Sequence, residues 1–258
     1  MNKIDELFNR KKNRILSIFF TAGYPELNST GEILLSLQDQ GVDMVEIGMP
    51  YSDPVADGPV IQESSQQALE NGMTLDLLFK QLKELMPNIH IPVILMGYIN
   101  PVMKMGFETF CKKASEVGVS GLILPDLPPE LSVTEYQPML DKYELKNIFL
   151  ISPQTKESRV RFIDKHTGGF IYMVSSPSVT GSQLEKSEAI QSYFDNISRM
   201  NLQHAGMVGF GISTPEQFDF VCQNARGGII GSAYVVQLKS AENISQLTEK
   251  FIKPFRKS

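Results

Sequence analysis

The sequence has little of what several kinds of functional site require. It contains two cysteines and three histidines in 258 residues. Two lone cysteines, Cys111 and Cys222, argue against a disulfide framework and against a cysteine metal site. No apolar run approaches the roughly 20 residues of a membrane-spanning helix. No basic cluster accompanies the net charge of -5, which argues against nucleic-acid binding.

The N-terminal segment is amphipathic, because Ile4, Leu7 and Phe8 fall on one face of a helix. It lacks the apolar central region of a secretory signal, so we expect a cytoplasmic protein without a membrane segment. No Pro/Gly/Ser-rich linker divides the 258 residues. We therefore expect one domain over residues 1–258.

Eight short and almost continuously apolar runs recur along the chain, as expected of strands that are covered on both faces. They occupy residues 15–20, 42–48, 93–99, 121–126, 147–152, 170–175, 206–211 and 227–232. Segments with helical spacing lie between them, for example 75–86, 107–118 and 213–224.

This alternation predicts an α/β fold, a (β/α)8 TIM barrel with an extra N-terminal helix and an extended loop after strand two. A doubly wound open sheet is the alternative, and the count of eight runs favours the barrel.

The polarity of a barrel restricts where chemistry can lie, because residues just after a strand form the catalytic face. His90, His166 and His204 precede the third, sixth and seventh runs and fall on the opposite face. No run ends in lysine, and Lys104 lies several residues past the third. We therefore expect no zinc site, no histidine base and no Schiff base.

The catalytic face carries acids instead. In the second run, Glu46 alternates with Val45 and Ile47 and should point into the barrel. A buried carboxyl has a raised pKa, and such a group can both donate and accept a proton near neutral pH. A salt bridge is the structural alternative, but none of the runs contains Lys or Arg. Asp53 and Asp57 follow in a loop of turn residues, where a second acid could reach the substrate.

Glycine-rich segments follow the last three runs, at 178–181, 209–213 and 229–234. Loops after the last two strands of a barrel, together with a helix N-terminus, commonly bind phosphate through backbone N–H groups. Tight turns are the alternative explanation of these glycines. The residues together predict a barrel enzyme that acts on a small phosphorylated substrate by carboxylate acid–base chemistry.

These motifs resemble those of the tryptophan synthase alpha subunit family, and the resemblance covers essentially the whole chain. The most specific is VEIGMPYSDPVADGP at 45–59. The others are FFTAGYP (19–25), MGYINP (96–101), PDLPPE (125–130), VTG (179–181), GFGIS (209–213) and GSA (231–233). The resemblance implies a lyase that cleaves indole-3-glycerol phosphate to indole and glyceraldehyde 3-phosphate by a retro-aldol reaction.

The same resemblance implies roles for individual residues. Glu46 would transfer protons, Asp57 would stabilise the indole N–H, and Tyr172 would line the site beside them. The indole wall would consist of Phe19, Tyr98, Ile123, Ile151 and Phe210. Thr180 would close over the site and bond Asp57. Phosphate would bind at Gly181, Gly211, Gly231 and Ser232. Loop or interface positions would be Asp53, Asp126, Pro128 and Glu130.

The resemblance also implies a partner. The family works as an α2β2 heterotetramer in which indole passes to a beta subunit that carries pyridoxal phosphate, so we expect no cofactor on this chain. Three positions depart from the family pattern: Pro177 and Ser178 in the loop after the sixth run, and Gly97. The alternatives are a stand-alone lyase, a weakly active subunit that mainly activates its partner, and another phosphate-binding barrel such as a sugar-phosphate isomerase.

Overall fold

The computed structural model describes residues 1–174, 188–209 and 211–256, and a parallel sheet lies at its centre. The strands are β1 Ile15–Thr21, β2 Met44–Gly48, β3 Val93–Met96, β4 Gly121–Ile123, β5 Lys146–Asn147, β6 Leu150–Ile151, β7 Phe170–Val174, β8 Ala205–Gly209 and β9 Gly227–Ile230. Their hydrogen-bonded order is β5-β4-β3-β2-β1-β9-β8-β7-β6.

The sheet closes on itself, because β5 and β6 are two pieces of the single run predicted at 147–152. Only Ile148 and Phe149 separate the two pieces. The Ile148 amide donates to the Leu122 carbonyl of β4 at 3.0 Å, and the Tyr172 amide of β7 donates to the Phe149 carbonyl at 2.9 Å. The segment thus bonds to both of its neighbours, and the predicted eightfold barrel is confirmed.

Helices surround the barrel in the alternation that the sequence predicts. In the described ranges they are α1 Lys3–Arg10, α2 Ser29–Asp39, α3 Pro59–Glu70, α4 Leu75–Leu85, α5 Ile99–Met105, α6 Phe107–Glu116, α7 Pro129–Leu131, α8 Gln137–Lys142, α9 Glu157–His166, α10 Glu188–Arg199, α11 Pro215–Asn224, α12 Ser232–Leu238 and α13 Ile244–Ile252. None of these helices is long and apolar enough to cross a membrane.

The long segment after β2 is part loop and part helix. A loop at 49–58 leads into α3, which begins at a proline, and α4 follows with its Thr74 side chain capping the helix start. Buried residues Ile61, Ser64 and Ala68 seat α3 against the barrel. Strand β2 at one end and α3 at the other therefore anchor the stretch that carries the acidic motif.

The end of the barrel opposite the strand C-termini is closed by α1. Ile4, Leu7 and Phe8 are buried, and the ring of Phe8 stacks on Phe170 with 5.6 Å between centroids. His204, which precedes β8, bonds with Nδ1 to the Asp164 carbonyl oxygen at 2.8 Å. The closed floor leaves the strand C-termini as the open end.

Candidate active site

The deepest acid of the open end is Glu46, near the C-terminus of β2. Its neighbours on the strand, Val45 and Ile47, are fully buried, and Glu46 itself has no exposed surface. Ser17 on β1 donates its hydroxyl proton to Oε1 of Glu46 at 3.2 Å. Among the described residues, Oε2 has no hydrogen-bond partner. Burial raises the pKa of the Glu46 carboxyl to about 8, and the Ser17 hydrogen bond opposes this rise.

The second acid is Asp57, in the loop before α3. Tyr98, just past β3, donates its hydroxyl proton to Oδ2 of Asp57 at 2.9 Å. The same hydroxyl accepts the Ala56 backbone N–H at 2.9 Å, so Tyr98 holds the loop at two points. Partial burial raises the pKa of Asp57, whereas the Tyr98 hydrogen bond stabilises its charged form. Asp57 therefore retains its charge more readily than Glu46.

Tyr172 on β7 interacts electrostatically with both acids. Burial raises the pKa of its hydroxyl well above the ordinary value, and the charges of Glu46 and Asp57 raise it further. Gly209 on the neighbouring strand makes room for this ring, because a Cβ added there would lie 2.1 Å from the Tyr172 hydroxyl oxygen. The ring is therefore a neutral wall of the site.

A cavity of about 430 Å³ opens above these residues at the strand C-termini. Its lining includes Phe19, Asp57, Ile61, Met96, Tyr172, Ile229, Gly211, Ser213, Gly231, Ser232 and Val236. The ring of Phe19 forms one wall and fills the space beside Gly48, where an added Cβ would meet it at 2.5 Å. The cavity is thus mostly apolar, with acid at one end and glycine and serine at the other.

The glycine end lies after β8 and β9. Gly211 has a φ of 79°, a conformation that favours glycine. Gly231 is the residue before α12, and Ser232 is its first helical residue, so the unpaired N–H groups of the first turn face this end. Gln217 of α11 braces the preceding loop: its Oε1 accepts the Ser213 amide at 2.8 Å. This arrangement suits an anion such as phosphate.

Other predicted site residues lie elsewhere or outside the described ranges. Ile123 and Ile151 are buried in the barrel wall but do not border the cavity, where Met96 and Ile61 are found instead. The contacts of both residues with indole stay predictions. Thr180, Gly181 and Phe210 lie outside the described residues, as do Pro177 and Ser178.

The predicted loop and interface residues surround the β2–β4 side of the open end. Asp53 is exposed beside Ser52, which donates to its carboxylate. Asp126 accepts the Ile99 amide at 3.0 Å and so secures the start of α5. The residues around α7 are exposed or half-buried: Pro128 immediately precedes the helix, and Glu130 pairs with Arg159 at 2.6 Å.

The sequence analysis missed Ser17 and Ile61. Ser17 is the only polar residue of the first predicted strand, and this isolated hydroxyl was a usable signal. Gly97, one of the departures from the family pattern, has a packing explanation. A Cβ there would lie 2.9 Å from the Cε of Met49, so the methionine takes the space of a larger side chain.

Fold and site together define a TIM-barrel enzyme whose open end carries two carboxyl groups on one side and glycine-rich loops on the other. In the described part of the chain, no three His, Cys, Asp or Glu side chains gather in a way that could hold a metal ion. The sequence model of the tryptophan synthase alpha chain family matches residues 6–257, and the chain belongs to that family. The predicted family and its carbon–carbon lyase class are confirmed.

Known proteins agree with this assignment. The tryptophan synthase alpha chain of Parabacteroides distasonis is 50% identical over 256 residues, which cover 99% of this chain and 100% of the relative. The crystal structure of the alpha chain from Legionella pneumophila has a TM-score of 0.88 at 32% identity and covers 99% and 96% of the two chains. A tryptophan synthase complex from Pyrococcus furiosus has a TM-score of 0.83 at 32% identity, covering 95% and 98%.

Proposed function

We propose that this chain, as a single barrel domain, cleaves indole-3-glycerol phosphate to indole and glyceraldehyde 3-phosphate, with Glu46 transferring the protons. The observation that carries the proposal is a fully buried carboxyl group with a pKa of about 8 near the end of β2, paired across the strands with Phe19, which lines the apolar cavity. At neutral pH such a carboxyl is mostly protonated and can begin the reaction as an acid.

The proton balance of the reaction needs only this one group. Glu46 donates its proton to indole C3, which turns C3 into a leaving group. The resulting carboxylate takes the proton of the glycerol hydroxyl beside the breaking bond. The C–C bond then breaks. The carbon that carried the hydroxyl becomes the aldehyde, and the electron pair of the broken bond returns to the indole ring. Glu46 ends the cycle protonated, as it began.

Asp57 complements this chemistry as an anion. Protonation at C3 makes the indole nitrogen cationic, and a carboxylate beside the N–H stabilises that charge. Burial raises the pKa of Asp57, and the hydrogen bond from Tyr98 opposes that rise and favours the ionised form. Phe19 and Tyr172 would enclose the ring, and the loops at Gly211, Gly231 and Ser232 would hold the phosphate. Thr180 and Gly181 would complete the site, and Phe210 its wall.

The test is product formation from indole-3-glycerol phosphate. We expect equal amounts of indole and glyceraldehyde 3-phosphate, measured by chromatography and by a coupled dehydrogenase. Turnover of a sugar phosphate, with none of the indole substrate, would contradict the proposal. High activity of the chain alone would favour a stand-alone lyase, and slow activity that rises with a beta subunit would favour the alpha role.

We also propose an α2β2 complex, with the beta subunit on the β2–β4 side of the open end. Three exposed apolar side chains lie on the segments that follow β2, β3 and β4: Val55 is 85% exposed, Met103 46% and Leu131 44%. Asp53, Pro128 and Glu130 lie within three residues of Val55 or Leu131 in sequence, and Asp126 bonds the start of α5, which carries Met103. Pyridoxal phosphate would belong to the partner, and no cofactor would bind this chain. A cytoplasmic location stays a prediction.

Met103→Glu tests the surface, because a charge in the centre of an apolar contact should weaken the complex about tenfold or more. Lys165→Glu is the control, since Lys165 is exposed on α9, which follows β6 on the other side of the barrel and does not line the cavity. Sedimentation with a purified beta subunit measures both. Equal loss of affinity in the two variants would contradict this location.

A further inference from the structure

The Glu46 carboxyl has two oxygens in different surroundings. Ser17 holds Oε1 at 3.2 Å, and Oε2 has no partner among the described residues. Neither residue has exposed surface, so no solvent equalises the two oxygens. A proton-transferring carboxyl in this position therefore has one oxygen committed and one available.

The register of β1 and β2 decides which oxygen is committed. Phe19 pairs with Glu46 across the two strands, and Ser17 pairs with Met44. Ser17 consequently lies two residue pairs deeper in the barrel than Glu46, toward the floor. The oxygen that it holds is on the floor side, and the other oxygen is on the side of the open end.

We propose that Ser17 is a positioning residue for Glu46: its hydroxyl engages Oε1 and so directs the transferable proton to Oε2, on the substrate side. A hydroxyl that donates to Oε1 leaves that oxygen as an acceptor, so the proton of the neutral acid lies on Oε2. The inference rests on the proposed role of Glu46. Ser17 itself touches neither substrate nor phosphate loop.

The structure shows the contrast between Ser17 and another buried hydroxyl of the same strand. Thr21, four residue pairs nearer the opening than Ser17, also has no exposed surface, but its hydroxyl bonds the Ser64 hydroxyl of α3 at 2.6 Å. The Thr21 hydroxyl therefore joins the strand to helix α3, whereas the Ser17 hydroxyl bonds the Glu46 carboxyl. Thr21→Val is a matched control that removes a buried hydroxyl from β1 without touching Glu46.

The experiment compares Ser17→Ala with Thr21→Val in the full chain, by following kcat, KM and the pH dependence of kcat/KM. In Ser17→Ala we expect kcat to fall about tenfold and KM to change less than about twofold. The Glu46 ionisation should move to higher pH by about one unit, because the alanine no longer stabilises the carboxylate. In Thr21→Val that ionisation should stay at the wild-type pH, although thermal stability falls.

Two further variants restore the hydroxyl or weaken it. Ser17→Thr keeps a full donor and should return both kcat and the pH profile toward wild type. Ser17→Cys keeps the size with a weak donor and should give intermediate values. If Ser17→Ala lowers only the melting temperature and leaves the pH profile unchanged, Ser17 is structural and the proposal is wrong. If instead Glu46→Gln remains active, the proposed function of Glu46 fails, whatever Ser17 does.

Discussion

The two acids of the motif, Glu46 and Asp57, are 11 residues apart in sequence and have opposite surroundings. Glu46 is on a strand, fully buried, with one serine hydroxyl as its partner. Asp57 is on a loop, partly exposed, and receives the Tyr98 hydroxyl proton. Burial raises both pKa values, but complete burial carries Glu46 to about 8. Similar side chains thus acquire different pKa values through the extent of their burial and through their hydrogen-bond partners.

The most severe test of this comparison is the neutral substitution Glu46→Gln. We expect kcat to fall at least about a thousandfold, since general acid–base catalysis contributes factors of this size. Substrate binding should persist because the phosphate and indole contacts remain. The chain has no tryptophan, so the fluorescence of the indole substrate reports binding without a tryptophan background. Glu84→Gln, at an exposed helix position, is the control, and substantial turnover in Glu46→Gln would refute the assignment.

The same substitution should stabilise the fold. The Glu46 pKa rises from an ordinary 4.5 to about 8, so the folded chain holds more protons than the unfolded chain between these values. Wild-type stability therefore falls as pH increases from 4.5 to 8. The glutamine variant lacks this loss and should be roughly 4 kcal/mol more stable at pH 8, with little difference near pH 4.5. Urea unfolding at the two pH values measures the difference in the free energy of unfolding. An equal increase in stability at both pH values would show that burial of the ionised Glu46 carboxylate does not destabilise the fold.

A smaller effect is expected from Tyr98→Phe, which removes the partner of Asp57 without touching Glu46. The Asp57 carboxylate then loses the hydrogen bond that stabilises its charge, so its pKa rises further. Activity should fall up to about tenfold, and the acidic limb of the pH profile should move to higher pH. Tyr51→Phe is the control. The centroid of the Tyr51 ring lies 5.3 Å from that of Tyr98, but the Tyr51 hydroxyl accepts a hydrogen bond from the Asn100 side-chain amide instead of bonding Asp57. An unmoved acidic limb in Tyr98→Phe would show that Tyr98 does not tune Asp57.

Much of this site could be predicted because, in a barrel, residues that follow a strand in sequence lie at the C-terminal face. Glu46 alternates with branched apolar residues on a strand, and this pattern alone places it inside the barrel. The glycines after the last two runs fall at the open end of the barrel for the same reason, and Gly211 and Gly231 line the cavity there. The fifth run was less predictable, since its two pairing partners divide it into β5 and β6.

Contacts between distant segments could not be predicted in this way. Tyr98 was expected in the indole wall, yet it bonds Asp57 and Ala56 in a loop more than 40 residues away in sequence. Ser17 gave a signal as a lone polar residue, but its partner could not be read from the run itself.

The sequence by itself determined the order of strands and helices, the inward direction of Glu46 and the family, because periodicity and motifs are local properties. Only the tertiary structure decided that Ser17 lies two residue pairs below Glu46 and that the hydroxyl of Tyr98 reaches Asp57. Strand register and loop position depend on the packing of the whole barrel. The pKa difference between the two acids follows from that packing, because desolvation is set by everything that surrounds a group and not by its neighbours in sequence.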